Sequence, residues 1–258
     1  MAGDDAYNAA MMQPAEILPC FRPFQQLEHS LLSRLAALSR IVEVGRDAVL
    51  CRQGTQPEAL HYLLEGQIAL TQATPDGSAT LIDVVQPVRS VTLASVVAGQ
   101  THMLTAQALK PSRVLEVPGG PLRALISERP GFAKAMLESL SLEMDAITRM
   151  VVDLKLRSSA QRLGCFLLAL AEQPGATQAE FELPFQKRLL AERIGCRFEH
   201  LSRAFALLRK YGVETRGARV ALRDIPRLRE FAVAEEGTPN PPSSIARAAR
   251  ALGDAFKF

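Results

Sequence analysis

The sequence has no run of about 18 apolar residues, so no membrane-spanning helix is expected. Its start, MAGDDAYNAAMM, is acidic and lacks the basic-then-apolar order of a secretory signal, which points to a cytoplasmic protein. Four cysteines stand at 20, 51, 165 and 196, and none forms C-x-x-C. That spacing supports neither a zinc site, nor a disulfide framework, nor an iron–sulfur cluster. They read as reduced packing residues. No H-x-H pair appears and the one E-x-x-H spacing, Glu58 to His61, stands alone, which leaves little for an iron ion held by His and Glu.

What is present is an ordinary globular composition, 48% hydrophobic and 22% charged, over 258 residues, enough for one or two domains. The net charge of +3 conceals an asymmetry. Residues 155–230 hold 15 Lys and Arg against 8 Asp and Glu, a balance of +7, and the remainder holds 15 against 19, a balance of −4. A basic module beside an acidic one suggests that the C-terminal part meets a polyanion; a merely solvated basic face gives the same count.

Residues 1–16 read as a disordered N-terminus. LPCFRPFQQLEHSLLSRLAALS predicts one or two short helices, with Leu27, Leu31, Leu35 and Leu38 at spacings of three and four. From Ile41 to Val117 short apolar or alternating runs take over, punctuated by Gly45, Gly54, Gly66, Asp76-Gly77, Pro87 and Gly99. TPDGSA between two such runs predicts a hairpin turn, and the whole predicts a β-barrel or jelly roll over a domain of residues 17–129.

A long helix follows over 130–156. Ala133, Leu137, Leu140, Met144, Ile147, Val151 and Leu154 step by alternating fours and threes, an a/d heptad seam. Such a seam needs a partner. A second copy of the chain in a homodimer answers that need, and packing on the chain's own barrel is the alternative.

Residues 157–232 predict a helix (KLRSSAQRLGCFLLALAEQ), a short strand (FELPF), and two helices (QKRLLAERIG and FEHLSRAFALLRKYG) around the turn Gly195-Cys196-Arg197. A two-strand hairpin tipped by Arg216-Gly217 and a closing helix complete the set. This is a winged helix-turn-helix, whose second helix enters the major groove N-terminus first. Glu199 and Arg203 lie at i and i+4 on one face, beside Ser202, while Leu201, Ala204, Phe205 and Leu208 point inward. Residues 233–258 read as a Pro-rich linker and tail. The fold class is therefore α+β: a sensor jelly roll, a dimerisation helix and a winged helix-turn-helix.

KRLLAERIGCRFEHLSRAFALLRKYGV and LHYLLEGQIAL together resemble the Crp/Fnr family of bacterial transcription regulators, over roughly residues 18–230. The segments SVTLASVVAGQTHMLTAQALKPSRVLEVP and LSRAFALLRKYGV are similar to an FtrB-type subgroup linked to ferrous-iron transport operons. The resemblance implies a homodimer on a palindromic double-stranded DNA site, contact with RNA polymerase, and no enzymatic activity. It sets Arg203 on guanine and Glu199 on cytosine of a TTGA-like half-site, chemistry that a guanidinium and a carboxylate can supply. Ser202 meets a base or a phosphate. Lys187, Arg188, Arg197, His200, Arg216 and Arg219 are candidate phosphate contacts. Phe198 departs from the pattern, since some relatives carry a polar or basic residue there.

Family members that bind cyclic nucleotides carry G-E-L and then R-S/T-A, giving a carboxylate for the ribose and an Arg for the phosphate. Here those positions read Val91-Thr92-Leu93 and His102-Met103-Leu104, so Thr92 and His102 replace the two charged groups, with Thr105 following. A buried phosphate needs a charged or multi-donor partner, so cAMP is not expected to bind. The pocket is left with three readings: haem with His102 as an axial ligand, a small metabolite, or no ligand at all. Two other functions are weighed against the regulator. One is a ligand-binding module with a degenerate helix-turn-helix. The other is a Cys/His hydrolase using Cys196 and His200, which lacks a visible third orienting group.

Overall fold

In the computed structural model, residues 12–74, 77–171 and 175–233 are described. The chain divides into two compact units, with the division between Met144 and Asp145.

The first unit opens with helix α1 (Pro14–Ile17), two 3-10 turns (Leu18–Cys20 and Arg22–Gln26) and helix α2 (His29–Leu38). Residues 14–16, read from sequence as disordered, are thus helical. Pro14 presets the first turn, the Glu16 carboxylate accepts from the Gln13 N–H at 2.8 Å, and Ile17 is buried. Eight strands follow: β1 (Arg40–Val44), β2 (Val49–Cys51), β3 (Ala59–Glu65), β4 (Ile68–Ala73), β5 (Ala79–Val85), β6 (Arg89–Val91), β7 (Thr105–Ala108) and β8 (Ser112–Pro118). Helix α3 (Leu93–Ala98) interrupts them, and helix α4 (Gly119–Glu128) and the first part of helix α5 (Pro130–Leu156) close the unit.

The strands form two antiparallel four-stranded sheets, in the orders β1-β8-β3-β6 and β2-β7-β4-β5. Each sheet keeps its own edges, so the architecture is a jelly-roll sandwich and not a closed barrel. β3 shows why its sequence reads as a nearly continuous apolar run. Leu60 and Tyr62 pack on the helical side with Phe21, Phe24, Leu35 and Phe132. Leu63 packs between the sheets with Ile68, Val85, Val91 and Val114. Both faces are buried, so alternation of apolar with polar is lost. The tight β3–β4 turn requires glycine: Gly66 has φ +103°, and a Cβ there would lie 2.0 Å from Ser112 Oγ.

The second unit contains the end of α5, helix α6 (Ser159–Leu170), strand β9 (Ala179–Glu182), helices α7 (Lys187–Arg193) and α8 (Phe198–Leu208), strands β10 (Val213–Arg216) and β11 (Arg219–Leu222), and helix α9 (Ile225–Val233). The sequence reading started α6 at Lys155. Instead α5 runs through Leu156, and Ser158 caps a new helix, accepting from the Gln161 N–H while Gln161 Oε1 accepts from the Ser158 N–H. The three strands pair in the order β10-β11-β9. The core beneath them is Leu163, Leu167, Leu190, Leu201, Phe205, Leu208, Val220 and Leu228.

The predicted turn at Asp76-Gly77 and the predicted tail over 234–258 lie wholly or partly outside the described residues. Among the described residues, no helix is long and apolar enough to cross a membrane.

Candidate nucleic-acid interface and sensor pocket

The turn between α7 and α8 is built by a glycine and an arginine. Gly195 takes φ +67°, the left-handed region, and a Cβ there would come within 2.5 Å of Leu154 Cδ2. Arg162, on α6, donates from Nε to the Ile194 carbonyl at 2.7 Å and from Nη2 to the Gly195 carbonyl at 3.1 Å. Its Nη1 donates to the Arg157 carbonyl beyond the end of α5. One planar guanidinium thus ties three backbone segments together. The Cys196 N–H closes the turn on the Ala191 carbonyl at 2.9 Å.

This geometry fixes which face of α8 is free. Leu201, Ala204, Phe205 and Leu208 are buried, and Glu199, His200, Ser202 and Arg203 are exposed. Glu199 and Arg203 are in no ion pair among the described residues. Glu199 sits in the first turn, where the helix dipole favours an anion. Arg197 is the exposed residue preceding α8.

The other candidate contacts are spread around this face. Lys187 is half-buried, with its Nζ 5.2 Å from the centroid of the Phe205 ring, so it already makes a cation–π contact. Arg188 lies 3.8 Å from Glu192 and Arg219 3.7 Å from Glu182, both loose pairs on exposed side chains. Arg216 and Arg219 stand directly opposite each other across the β10–β11 hairpin. Cys196 packs against the domain core, and burial pushes its thiol pKa up, with Arg162 a smaller opposing influence. That is the reverse of what a Cys/His nucleophile requires.

In the sensor unit the four named pocket residues do not all converge. Thr92 adopts φ 61°, ψ 33°, a conformation unusual for a β-branched residue, and its Oγ1 donates to the Val91 carbonyl at 2.6 Å. His102 is 3% exposed and its Nδ1 has no hydrogen-bond partner among the described residues. Met103 is 76% exposed and lines nothing. Thr105 Oγ1 accepts from the Gln53 N–H at 3.1 Å, on the wall of the sheet.

What the sequence did not suggest is a second histidine tied into an ion-pair chain. His61, buried on β3, faces Glu116 on β8 in register, with its Nε2 3.4 Å from Glu116 Oε1. Arg40 on β1 donates to Glu116 Oε2. His61 Nδ1, like His102 Nδ1, is buried and unpartnered. The only signal for this chain was the Glu within SRVLEVP, a charge inside an apolar strand. For haem, the structure offers His102 as an enclosed imidazole whose Nδ1 has no hydrogen-bond partner among the described residues. Among the described residues no three His, Cys, Asp or Glu side chains are grouped so as to hold a metal ion.

A jelly-roll sandwich followed by a long helix and a winged helix-turn-helix is the architecture of a sensor-linked transcription regulator. Residues 41–129 match the cyclic nucleotide-binding domain family, and residues 161–231 match the Crp-like helix-turn-helix domain. The chain belongs to the Crp/Fnr family of transcription regulators and is not an enzyme. It is 24% identical to the fumarate and nitrate reduction regulatory protein of Escherichia coli K12 over 194 residues, 74% of this chain and 77% of that one. A solved candidate cyclic nucleotide binding protein of Ruegeria pomeroyi is 26% identical, with TM-score 0.62, covering 89% of this chain and all of that one. The FixK2 structure from Bradyrhizobium japonicum, at 19% identity and TM-score 0.66, shares the fold over 77% of this chain and 99% of its own.

The chain around the buried His61 makes a pH dependence. Hydrogen bonding from His61, with a smaller part from Arg40, holds the Glu116 carboxyl down at about 2, against an ordinary 4.5. A depressed carboxylate contributes stability above its unfolded pKa and loses it as pH falls towards the folded one. Burial, and then repulsion from His61, lowers the His102 pKa below its ordinary 6.5, so its contribution is lost as pH falls through and below that value. The sensor unit is therefore expected to lose thermal stability in acid, with Glu116 acting between about 4.5 and 2. Glu116→Gln should flatten the melting-temperature profile in that window. A variant profile parallel to wild type there would show that the Glu116 chain is not responsible.

Proposed function

We propose that the protein is a cytoplasmic, homodimeric regulator that reads a palindromic DNA site, and that its sensor domain answers to a signal other than a cyclic nucleotide. In this reading residues 17–129 sense, 130–156 dimerise and 157–232 bind DNA, with RNA polymerase as the downstream partner.

The observation that carries the reading is the free face of α8. Glu199, Ser202 and Arg203 stand exposed at its start, fixed by the Arg162 fork, in a module with a charge of +7 over residues 155–230. An uncommitted Arg and Glu there match guanine O6/N7 and cytosine N4. Selection from a random double-stranded pool should return half-sites about 10 bp apart, each with a guanine under Arg203. Arg203→Ala should cost about 1–3 kcal/mol per half-site and relax one base pair. Recovery of identical sites at identical strength would reduce Arg203 to a surface residue.

The homodimer is supported by apolar exposure along α5. Leu137, Met144, Ile147, Val151 and Leu154 all stand out from the surface, with Met144 at 70%. A contiguous stripe of this kind marks an interface, and its heptad spacing suits a second copy. Leu140 is half-buried and packs partly on the chain's own core, so the seam's upper end does double duty. Replacing Leu140 and Ile147 by Lys should give monomers in sedimentation, because charges would be buried in a mirrored seam. A double variant that still sediments as a dimer would remove the seam.

Against cyclic nucleotide binding stand Thr92 and His102 where a carboxylate and an Arg are needed. Addition of cAMP should therefore leave the melting temperature unchanged, since only preferential binding to the native state raises it. A cAMP-dependent rise would restore the nucleotide pocket.

A further inference from the structure

The sensor unit buries two histidines whose ring nitrogens are left over. His61 is 6% and His102 3% exposed, and the Nδ1 of each is enclosed with no hydrogen-bond partner among the described residues. A buried polar atom without a partner is costly, and native structures keep few of them without a use.

The two rings reach the same end of the sandwich from different sheets. On β3 the side chain of His61 alternates with those of Leu60 and Tyr62, and so shares the inner face with Leu63. Its neighbour across the ladder on β6 is Val91. Thr92, next in sequence, hydrogen-bonds with the Cys51 thiol at the end of β2. The turn after β2 holds His102: the Gly54 N–H donates to the His102 carbonyl at 2.8 Å, and the His102 N–H donates to the Thr55 carbonyl at 2.9 Å. His102 is near enough to His61 to be repelled by its charge.

Protonation decides what the two nitrogens can bind. The Glu116 carboxyl is held down at about 2, so near neutral pH it only accepts. Its contact with His61 Nε2 at 3.4 Å therefore puts the proton of the neutral ring on Nε2 and leaves Nδ1 as a bare lone pair. Arg40 holds Glu116 from the other side. A histidine that gives its far N–H to a carboxylate is the arrangement found behind metal-ligating imidazoles. Burial, and then repulsion from His61, favours the neutral form of His102, the form that ligation needs. Imidazole nitrogen suits zinc, nickel, cobalt or copper, whereas magnesium and calcium take oxygen.

We propose that His61 and His102 are the protein ligands of a divalent transition-metal site in the sensor domain, with Glu116 orienting His61 through its Nε2–H. No third His, Cys, Asp or Glu is grouped with them among the described residues, so water completes the coordination. Such a site is open, unlike a closed structural zinc site, and suits exchange of the metal with its surroundings. The inference rests on the reading that the sensor answers to a signal other than a cyclic nucleotide, and it gives that signal a chemical class.

Tag-free full-length protein, reduced and stripped of metal, is titrated with Zn2+ and, for its visible bands, with Co2+. One ion per chain should bind and raise the melting temperature, with d–d bands and no thiolate charge-transfer band. His61→Ala and His102→Ala should each abolish this binding, and Glu116→Gln should weaken it about 10- to 100-fold. Replacing the two exposed histidines, His29→Gln with His200→Gln, should leave it intact. Proton NMR of the wild type serves where a buried variant fails to fold, since the exposed-histidine variant assigns the signals. Zn2+ should shift the imidazole signals of His61 and His102 and leave those of His29 and His200 in place. The proposal is overturned by a wild type that binds no metal, by binding that survives loss of either buried histidine, by a thiolate band, or by shifts confined to His29 and His200. An unchanged affinity in Glu116→Gln would remove Glu116 from the site. The reading against cyclic nucleotides fails separately, through a cAMP-dependent rise in the melting temperature of the metal-free protein.

Discussion

The Arg162 guanidinium holds the helix-turn-helix in its working geometry. Its three donors meet three carbonyls, those of Arg157, Ile194 and Gly195, drawn from two places in the chain. Hydrogen bonds to charged groups contribute on the order of 1.5–3 kcal/mol, and partial exposure of Arg162 brings these towards the lower end. Even so, the fork amounts to an appreciable fraction of a domain stability of about 5–15 kcal/mol. Its effect is directional as well as energetic. The left-handed Gly195 lets the chain reverse against Leu154, and the fork fixes the two carbonyls on either side of that reversal. Without both, α8 could still form, since its apolar face is strongly one-sided, but it would not present Glu199 and Arg203 in one fixed direction.

The two long amphipathic helices use the same periodicity to opposite ends. On α8 the apolar stripe is buried and the polar face is free. On α5 the heptad residues Leu137, Met144, Ile147, Val151 and Leu154 are themselves exposed, while Phe132, Ala135 and Met136 at its start are buried in the sensor core. Spacing alone could not tell these apart, because a 3–4 repeat specifies a face and not what covers it. This is why the recognition helix and the long helix were both legible in the sequence, and why the partner of α5 was left with two answers.

Other features were illegible for definable reasons. The six residues of α3, LASVVA, are too few to show a helical period; left-handed Thr92 and Gly99 bound the helix. A closed barrel and an open sandwich have the same strand pattern, and differ only in whether the edge strands pair. The chain of Arg40, Glu116 and His61 joins residues far apart in sequence, 76 positions in the case of Arg40 and Glu116, across β1, β8 and β3, and no local pattern encodes such a register. Nothing in the local pattern of α6 marks Arg162, its one charged residue, as the tie to the turn. The sensor residues assigned by family position, Thr92 and His102, fell in the sensor domain's interior or its wall, whereas Met103 next door points outward.

The hairpin gives the last indication of what the basic module is for. Arg216 and Arg219 face each other across β10 and β11, an arrangement that costs stability in a free sheet. Arg219 is partly relieved by Glu182 on β9, but at 3.7 Å and with both side chains exposed this pair is worth little. A neighbouring pair on the same sheet, Arg223 with Glu214, is closer at 3.0 Å and further from the tip. Charge is thus compensated at the base of the hairpin and left open at its end. Lys187 follows the same division, since its stacking on Phe205 makes it part of the fold as well as a cation near α8. A tip that accepts like-charge repulsion when alone gains most when an anion of high charge density approaches, and the duplex backbone is such an anion.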